Sequence, residues 1–310
     1  MKAFVFPGQG SQYVGMGQDL HSTFKIARTT FEEASDVTGV DLCRVCFEDR
    51  NGELTLTVNA QPAILTMSVA AWRVLSEETD IKADYVAGHS LGEYTALVAS
   101  EAMDFKDAVW IVRKRGEYMQ NAVALGVGAM SAIIGLQKHE VEKICSEASI
   151  NGSIVSPANY NAPSQTVISG NKEAVDRATE LARSNGAKRV IPLEVSAPFH
   201  CPLMAPAAEK LGRDLEKIEI SKYKIPVVTN VDAKLNTDPA KTKGILVDQV
   251  KSPVQWYESI KLLYDVGVRR FLEIGPGKIL SGLIKRSIPD PIVLNVENIS
   301  SLESLRENEF

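Results

Sequence analysis

Long apolar runs, cysteine, histidine and excess basic charge are all scarce in this chain of 310 residues. No apolar run approaches the length needed to cross a bilayer, so a membrane protein is not expected. Met1-Lys2-Ala3-Phe4 leads straight into a short apolar strand pattern with no signal-peptide layout before it, and the expected location is cytoplasmic. Acidic residues outnumber basic ones, 39 to 34, for a formal net charge of −5. A nucleic-acid-binding surface is therefore not favoured, although a local basic patch for an acidic partner is compatible with it. Only four cysteines occur. Cys43-x-x-Cys46 has no second pair, since Cys145 and Cys201 are far apart, which argues against a zinc site. A redox dithiol needs a helix start after a strand, which Asp41-Leu42-Cys43 does not clearly offer. Reduced, partly buried thiols are expected. Nucleotide motifs are missing as well. Gly8-x-Gly10 lacks the third glycine of a dinucleotide fingerprint, because position 13 is tyrosine, and no Gly-x-x-x-x-Gly-Lys-Ser/Thr exists.

What is present reads as an α/β protein. With 45% hydrophobic and 24% charged residues the composition suits a soluble globular chain, long enough for one large α/β domain or two smaller ones. Apolar runs predict strands at 3–6, 85–87, 227–229, 269–274 and 292–295. Helical spacing predicts helices over 24–37, 59–75, 105–119, 203–217, 244–250, 256–266 and 279–286. Pro62 is placed in the first turn of its helix, Asp104 is a plausible N-cap, and the polar tail 303–310 reads as loose. Between Gly126 and Ala197-Pro198 the grain changes to strand, helix, strand, strand, helix, strand. That is the ferredoxin-like order, and it implies a small subdomain over 126–197 inserted into a catalytic subdomain made of 1–125 and 198–310. No repeat or low-complexity tract appears, and nothing demands more than a monomer.

The chemistry-bearing stretch is Gly88-His89-Ser90-Leu91-Gly92, a Gly-x-Ser-x-Gly between an apolar strand run and the helix-like segment 93–100. A serine at a sharp strand-to-helix turn has an exposed hydroxyl, and the amide of Leu91 faces the place where an oxyanion would form. The same residues also fit a glycine-rich turn with an incidental serine. Loop 7–12 can supply a second oxyanion amide or be a plain turn. A serine needs a base, and there are four histidines. His21 and His139 read as surface residues, and His89 is adjacent to the serine and projects elsewhere. His200, bracketed by Pro198 and Pro202, is the candidate, with a structural loop histidine as the bland alternative. Cys201 as nucleophile suffers from adjacency to the same base. No acidic residue between Ser90 and His200 stands in a comparably marked loop, so a Ser-His dyad is expected, with a neutral acceptor such as a backbone carbonyl orienting His200. Arg113, Lys114 and Arg115 fall on one predicted helix about 100° apart, so they cannot all share a face. Hydrolysis and acyl transfer both suit this set.

Several motifs, taken in order, carry a resemblance: 7–12 (Pro-Gly-Gln-Gly-Ser-Gln), 88–94, Arg115-Gly116, Gly128-Ala129-Met130, Asn159 with Asn161, 197–200, Pro253-Val254-Gln255-Trp256 and 273–277. From Phe4 to about Arg286 the chain resembles the malonyl-CoA:acyl carrier protein transacylases of bacterial type II fatty-acid synthesis. The resemblance implies a large α/β-hydrolase-like subdomain with a parallel sheet plus a small ferredoxin-like one. It implies Ser90 as the acylated nucleophile and His200 as general acid/base, with the backbone carbonyl of Gln249 orienting the histidine. Gln9 and Leu91 would form the oxyanion hole, Arg115 would hold the malonyl carboxylate, and Phe199, Met130, Asn159 and Asn161 would belong to the substrate site. Phe199 is the form usual in malonyl-selective members. The implied substrates are malonyl-CoA and acyl carrier protein, exchanged by a ping-pong mechanism that supplies extender units for fatty-acid synthesis, with no bound cofactor and no metal. Lys188-Arg189 are candidates for contacting the carrier or the CoA phosphates; a solvated basic pair is the plain alternative.

Overall fold

The computed structural model describes residues 1–195 and 197–307; Ser196 in the hinge segment and 308–310 of the tail lie outside it. Ten strands are present among the described residues, numbered here in chain order: β1 (Lys2–Phe6), β2 (Tyr85–Gly88), β3 (Gly128–Ile134), β4 (Val155–Ala162), β5 (Gln165–Asn171), β6 (Arg189–Pro192), β7 (Val227–Val228), β8 (Leu235–Asn236), β9 (Arg270–Ile274) and β10 (Ile292–Val296). They form two sheets. The larger has the order β10-β9-β1-β2-β7-β8, parallel except for β8. Its inner strands are apolar on both faces, as a sheet covered by helices on both sides requires: β1 and β9 are buried almost throughout. One face carries the main core around Phe4, Phe6, Leu91 and the long helix Thr57–Glu78. The other packs Trp256, Ile260, Leu263 and Phe271.

The smaller sheet is antiparallel, order β4-β5-β3-β6, with helices Lys138–Ala148 and Lys172–Ser184 on one face. This is the ferredoxin-like arrangement, so the α/β class, with a parallel sheet and a smaller ferredoxin-like unit, agrees with the sequence pattern. β4 is tied to the large unit by paired backbone bonds, from the Tyr160 amide to Val254 O and from the Val254 amide to Ala158 O. That tie lays the cleft side of the small sheet beside the carboxyl edge of the large one, where ligands of open α/β sheets bind.

Four expectations need correction. Pro62 is the sixth residue of its helix rather than a first-turn residue, because the helix begins at Thr57. The lost amide bond is offset by an uninterrupted buried stretch from Asn59 to Ala71. The tail is not loose up to residue 307: Ile299–Glu307 is a helix that buries Leu302 and Leu305, three apart on one face, and Arg306 bonds Glu78 O at 3.0 Å. His21 is not a plain surface residue, since its ring packs edge-on against Phe31 and Phe47. The helix over 244–250 extends back to Pro239, whose preset φ suits a helix start, and Asp238 caps it by accepting from the Ala240 amide. All four cysteines are free, and burial pushes the Cys43 thiol up to about 11.

Candidate active site

The site begins at the carboxyl end of β2. Ser90 has φ 52°, a left-handed conformation that is costly for a residue with a Cβ and therefore needs outside support. The support is explicit. The Ser90 amide donates to Asn230 Oδ1 at 2.6 Å, Asn230 Nδ2 donates to Gly88 O at 2.7 Å, and Gln249 Nε2 donates to Ser90 O at 2.9 Å. The glycines are required by contact: a Cβ on Gly88 would fall 1.9 Å from the Gly92 backbone, and one on Gly92 would fall 2.1 Å from Phe6 O. A Cβ on Gly8 would meet His89 O at 2.4 Å, so loop 7–12 lies directly on the elbow. The amides of Gln9 and Leu91 donate to no atom among the described residues, and both residues line the cleft.

His200 is the second strained residue, with φ 57°. Its Nδ1 donates to the backbone carbonyl of Gln249 at 2.8 Å, and its Nε2 stands 2.7 Å from Ser90 Oγ. A carbonyl can only accept, so Nδ1 carries the hydrogen and Nε2 presents a lone pair to the serine hydroxyl. Burial first, and then the Arg115 charge, push the His200 pKa down to about 3, opposed by the bond to Gln249. The ring is thus neutral at pH 7, with the Nε2 lone pair open to a proton from the serine. The linkage sign follows. Between about 3 and 6.5 the unfolded chain binds a proton at this position that the folded chain refuses, so this contribution to stability falls as pH drops through that window. Wild-type protein is therefore expected to lose thermal stability relative to His200→Gln on going from about pH 7.5 to about pH 5. A gap in melting temperature that does not change with pH would show that His200 protonates freely in the folded state.

Arg115 projects inward from helix Phe105–Gln120 and is 1% exposed. Gly116 beside it permits the close helix crossing, since a Cβ there would meet Thr57 O at 2.7 Å. Nη1 donates to Gln61 Oε1 at 2.6 Å; Nη2 donates to Gln249 Oε1 at 2.9 Å and to Ser90 Oγ at 3.1 Å. All these acceptors are neutral, and among the described residues Arg115 forms no ion pair. The result is a guanidinium charge held beside the serine and open to a cleft of about 720 Å³.

Of the residues expected at the site, Ser90, Gln9, Leu91, Arg115, Met130, Asn159, Phe199 and His200 line this cleft. Gln249 lies wholly buried behind it. Asn161 is set back, and its Oδ1 accepts from His89 Nε2 at 2.8 Å, which fixes the His89 tautomer with its hydrogen on Nε2. Cys201 is outside the lining, buried, with Sγ on Pro198 O. Lys188 and Arg189 are exposed at the far end of β6 from the cleft residue Leu193, roughly 13 Å of strand away.

A model of the acyl transferase domain matches residues 3–308. The chain belongs to the acyl transferase domain family. This acyl transferase is 50% identical over 284 residues to the malonyl CoA-acyl carrier protein transacylase of Bacillus subtilis, spanning 92% of this chain and 89% of that protein. It is 48% identical over 286 residues to the protein of the same name from Escherichia coli K12, with 92% of each covered. Its fold superposes on the acyl carrier protein S-malonyltransferase of Vibrio cholerae with a TM-score of 0.95 at 45% identity, covering 98% and 99% of the two chains. A solved complex of a type II PKS acyl-carrier protein with its malonyl-transacylase gives 0.96 at 46% identity, covering 99% of each chain.

Three residues of the acyl transferase site escape a reading of the sequence. Asn230 clamps both sides of the elbow, Gln61 holds Arg115, and Glu93 accepts from Gln249 Nε2 at 2.7 Å and from the Asn230 amide at 3.1 Å. Asn230 carried one usable signal: it stands just past β7, at the carboxyl edge of the sheet where sites collect. Gln61 carried none, being one polar residue among the buried positions of a helix.

Proposed function

We propose that this acyl transferase moves the malonyl group of malonyl-CoA to the phosphopantetheine thiol of acyl carrier protein through a malonyl-serine intermediate, acting in the cytoplasm and supplying extender units for fatty-acid synthesis. Ser90 Oγ attacks the thioester carbonyl while His200 Nε2 takes its proton. The oxyanion rests on the amides of Gln9 and Leu91, and the loss of one such donor typically costs ~10²–10³ in rate. His200 then protonates the departing CoA sulfur. In the second half the carrier thiol gives its proton to His200 and attacks the malonyl ester, and Ser90 leaves with its proton restored. The scheme is ping-pong and uses a dyad in which Gln249 O orients the base. It calls for no cofactor.

The observation that carries the reading is Arg115, a buried cation whose hydrogen-bond acceptors are all neutral, 3.1 Å from Ser90 Oγ. A planar guanidinium can bind both oxygens of a carboxylate, so the acyl group that suits this cleft is one ending in a carboxylate. A neutral acyl chain would leave the guanidinium hydrogen-bonded to neutral groups alone. Phe199 and Met130 supply apolar walls.

Intact-mass measurement tests the reading. Malonyl-CoA alone is expected to add one malonyl group to the protein, and holo acyl carrier protein is expected to remove it and become malonylated. Rapid release of free malonate without carrier would instead make the protein a hydrolase, and no adduct at all would leave it a binding module.

A further inference from the structure

We propose that Glu93 is a positioning residue that sets acyl selectivity by fixing which way the Gln249 amide faces; the inference rests on the malonyl-transfer reading above. The side-chain amide of Gln249 has two unlike ends. Its Nε2 donates to Ser90 O at 2.9 Å and to Glu93 Oε2 at 2.7 Å, and its Oε1 accepts from Arg115 Nη2 at 2.9 Å. Only this orientation works. Turned over, Oε1 would face two acceptors, the Ser90 carbonyl and the Glu93 carboxylate, while the NH₂ group would face a guanidinium N–H. Glu93 supplies half of that discrimination as the acceptor for Nε2; burial pushes its pKa up to about 7, opposed by the bonds from Gln249 and Asn230 and by the Arg115 charge.

The carboxylate sits where this task needs it. Glu93 is 2% exposed in the first turn of helix Gly92–Ala99, whose dipole favours negative charge at that end. Its Oε2 also accepts from the Asn230 amide at 3.1 Å, and the Asn230 side chain holds both Ser90 N and Gly88 O. A single buried oxygen therefore ties the elbow, the amide of Gln249 and, through it, the arginine. The backbone carbonyl of the same glutamine holds His200. Loss of the carboxylate frees the Gln249 side chain to turn and displace Nη2, which moves the fork away from a carboxylate-bearing acyl group. A neutral acyl group does not use the fork, and the backbone bond to His200 does not depend on the side-chain amide.

The test measures Ser90 acylation by malonyl-CoA and by acetyl-CoA for wild type, Arg115→Ala, Glu93→Gln and Glu93→Met. Glu93→Met, similar in volume and without a strong acceptor, is expected to lower the malonyl-to-acetyl ratio by ~10-fold, and Glu93→Gln, which keeps one acceptor oxygen but can turn its own NH₂ toward Gln249, by ~3-fold. An equal loss with both substrates would assign Glu93 a structural role only and overturn the proposal, as would an unchanged ratio. If Glu93→Met does not fold, the Glu93→Gln ratio decides alone. Failure of the underlying reading looks different: wild type would then form no malonyl adduct, or Arg115→Ala would keep the wild-type ratio.

Discussion

Ser90→Ala is expected to abolish the malonyl adduct, a fall in acylation rate of ~10⁴-fold or more, and to leave the fold in place. The three bonds that hold the elbow use backbone atoms of residues 88 and 90 and survive the change: Ser90 N to Asn230, Gln249 to Ser90 O, and Asn230 to Gly88 O. Only the bonds of Oγ to His200 and Arg115 are lost. The strained φ of 52° is as tolerable to alanine as to serine within ~1 kcal/mol. Intact mass after exposure to malonyl-CoA is the measurement, with circular dichroism confirming the fold. A labelled Ser90→Ala protein would place the nucleophile elsewhere. Cys201 is the nearest alternative in sequence to the base, but its thiol is buried against Pro198 O and its pKa is raised by that burial, so it is not a ready thiolate.

Arg115→Ala is expected to invert the preference of the enzyme rather than silence it. Two charge-assisted hydrogen bonds to the malonyl carboxylate, each worth ~1.5–3 kcal/mol, would vanish, lowering kcat/KM for malonyl-CoA by ~10²–10⁴. Acetyl-CoA has no carboxylate to lose, so its rate is expected to change far less. Some cost will be common to both substrates, because Gln61 Oε1 and Gln249 Oε1 are left without their donor and Ser90 Oγ loses one partner. Arg115→Lys should fall between, since an ammonium is a point charge and cannot replace the fork. The comparison that matters is the ratio of the two kcat/KM values. If that ratio matches wild type in Arg115→Ala, Arg115 does not recognise the acyl carboxylate.

Much of the site was legible in the chain because its requirements are local. An apolar run followed by Gly88 and Gly92 marks a strand that turns into a helix, and the close contacts those glycines permit lie within the turn and the adjoining strand end. Pro198 and Pro202 mark His200 as a fixed loop residue in the same way. The alternation of periods over 126–197 is likewise a property of consecutive residues, and β3 and the helix Lys172–Ser184 occur where that alternation places them. Where local composition pointed the wrong way, packing prevailed: Pro62 is carried inside a helix because the stretch around it is buried on every side, and the polar tail still folds as a helix because Leu302 and Leu305 share a face.

The sequence by itself therefore determined the α/β class and, through its ordered motifs, the resemblance to malonyl transferring enzymes, and it singled out Ser90 and His200, whose Oγ and Nε2 the fold brings to 2.7 Å. What only the tertiary structure decided is which polar groups meet. Ser90, Arg115 and Gln249 come from a strand-helix turn and two separate helices, and Glu93, Asn230 and Gln61 join them through bonds spanning from 54 to 156 positions in the chain. Hydrophobic periodicity reports whether a face is buried; it carries no information about which buried donor will face which acceptor. That pairing is set when parallel strands bring their carboxyl ends to one edge, and the desolvation cost of an unpaired buried polar group then leaves few arrangements open.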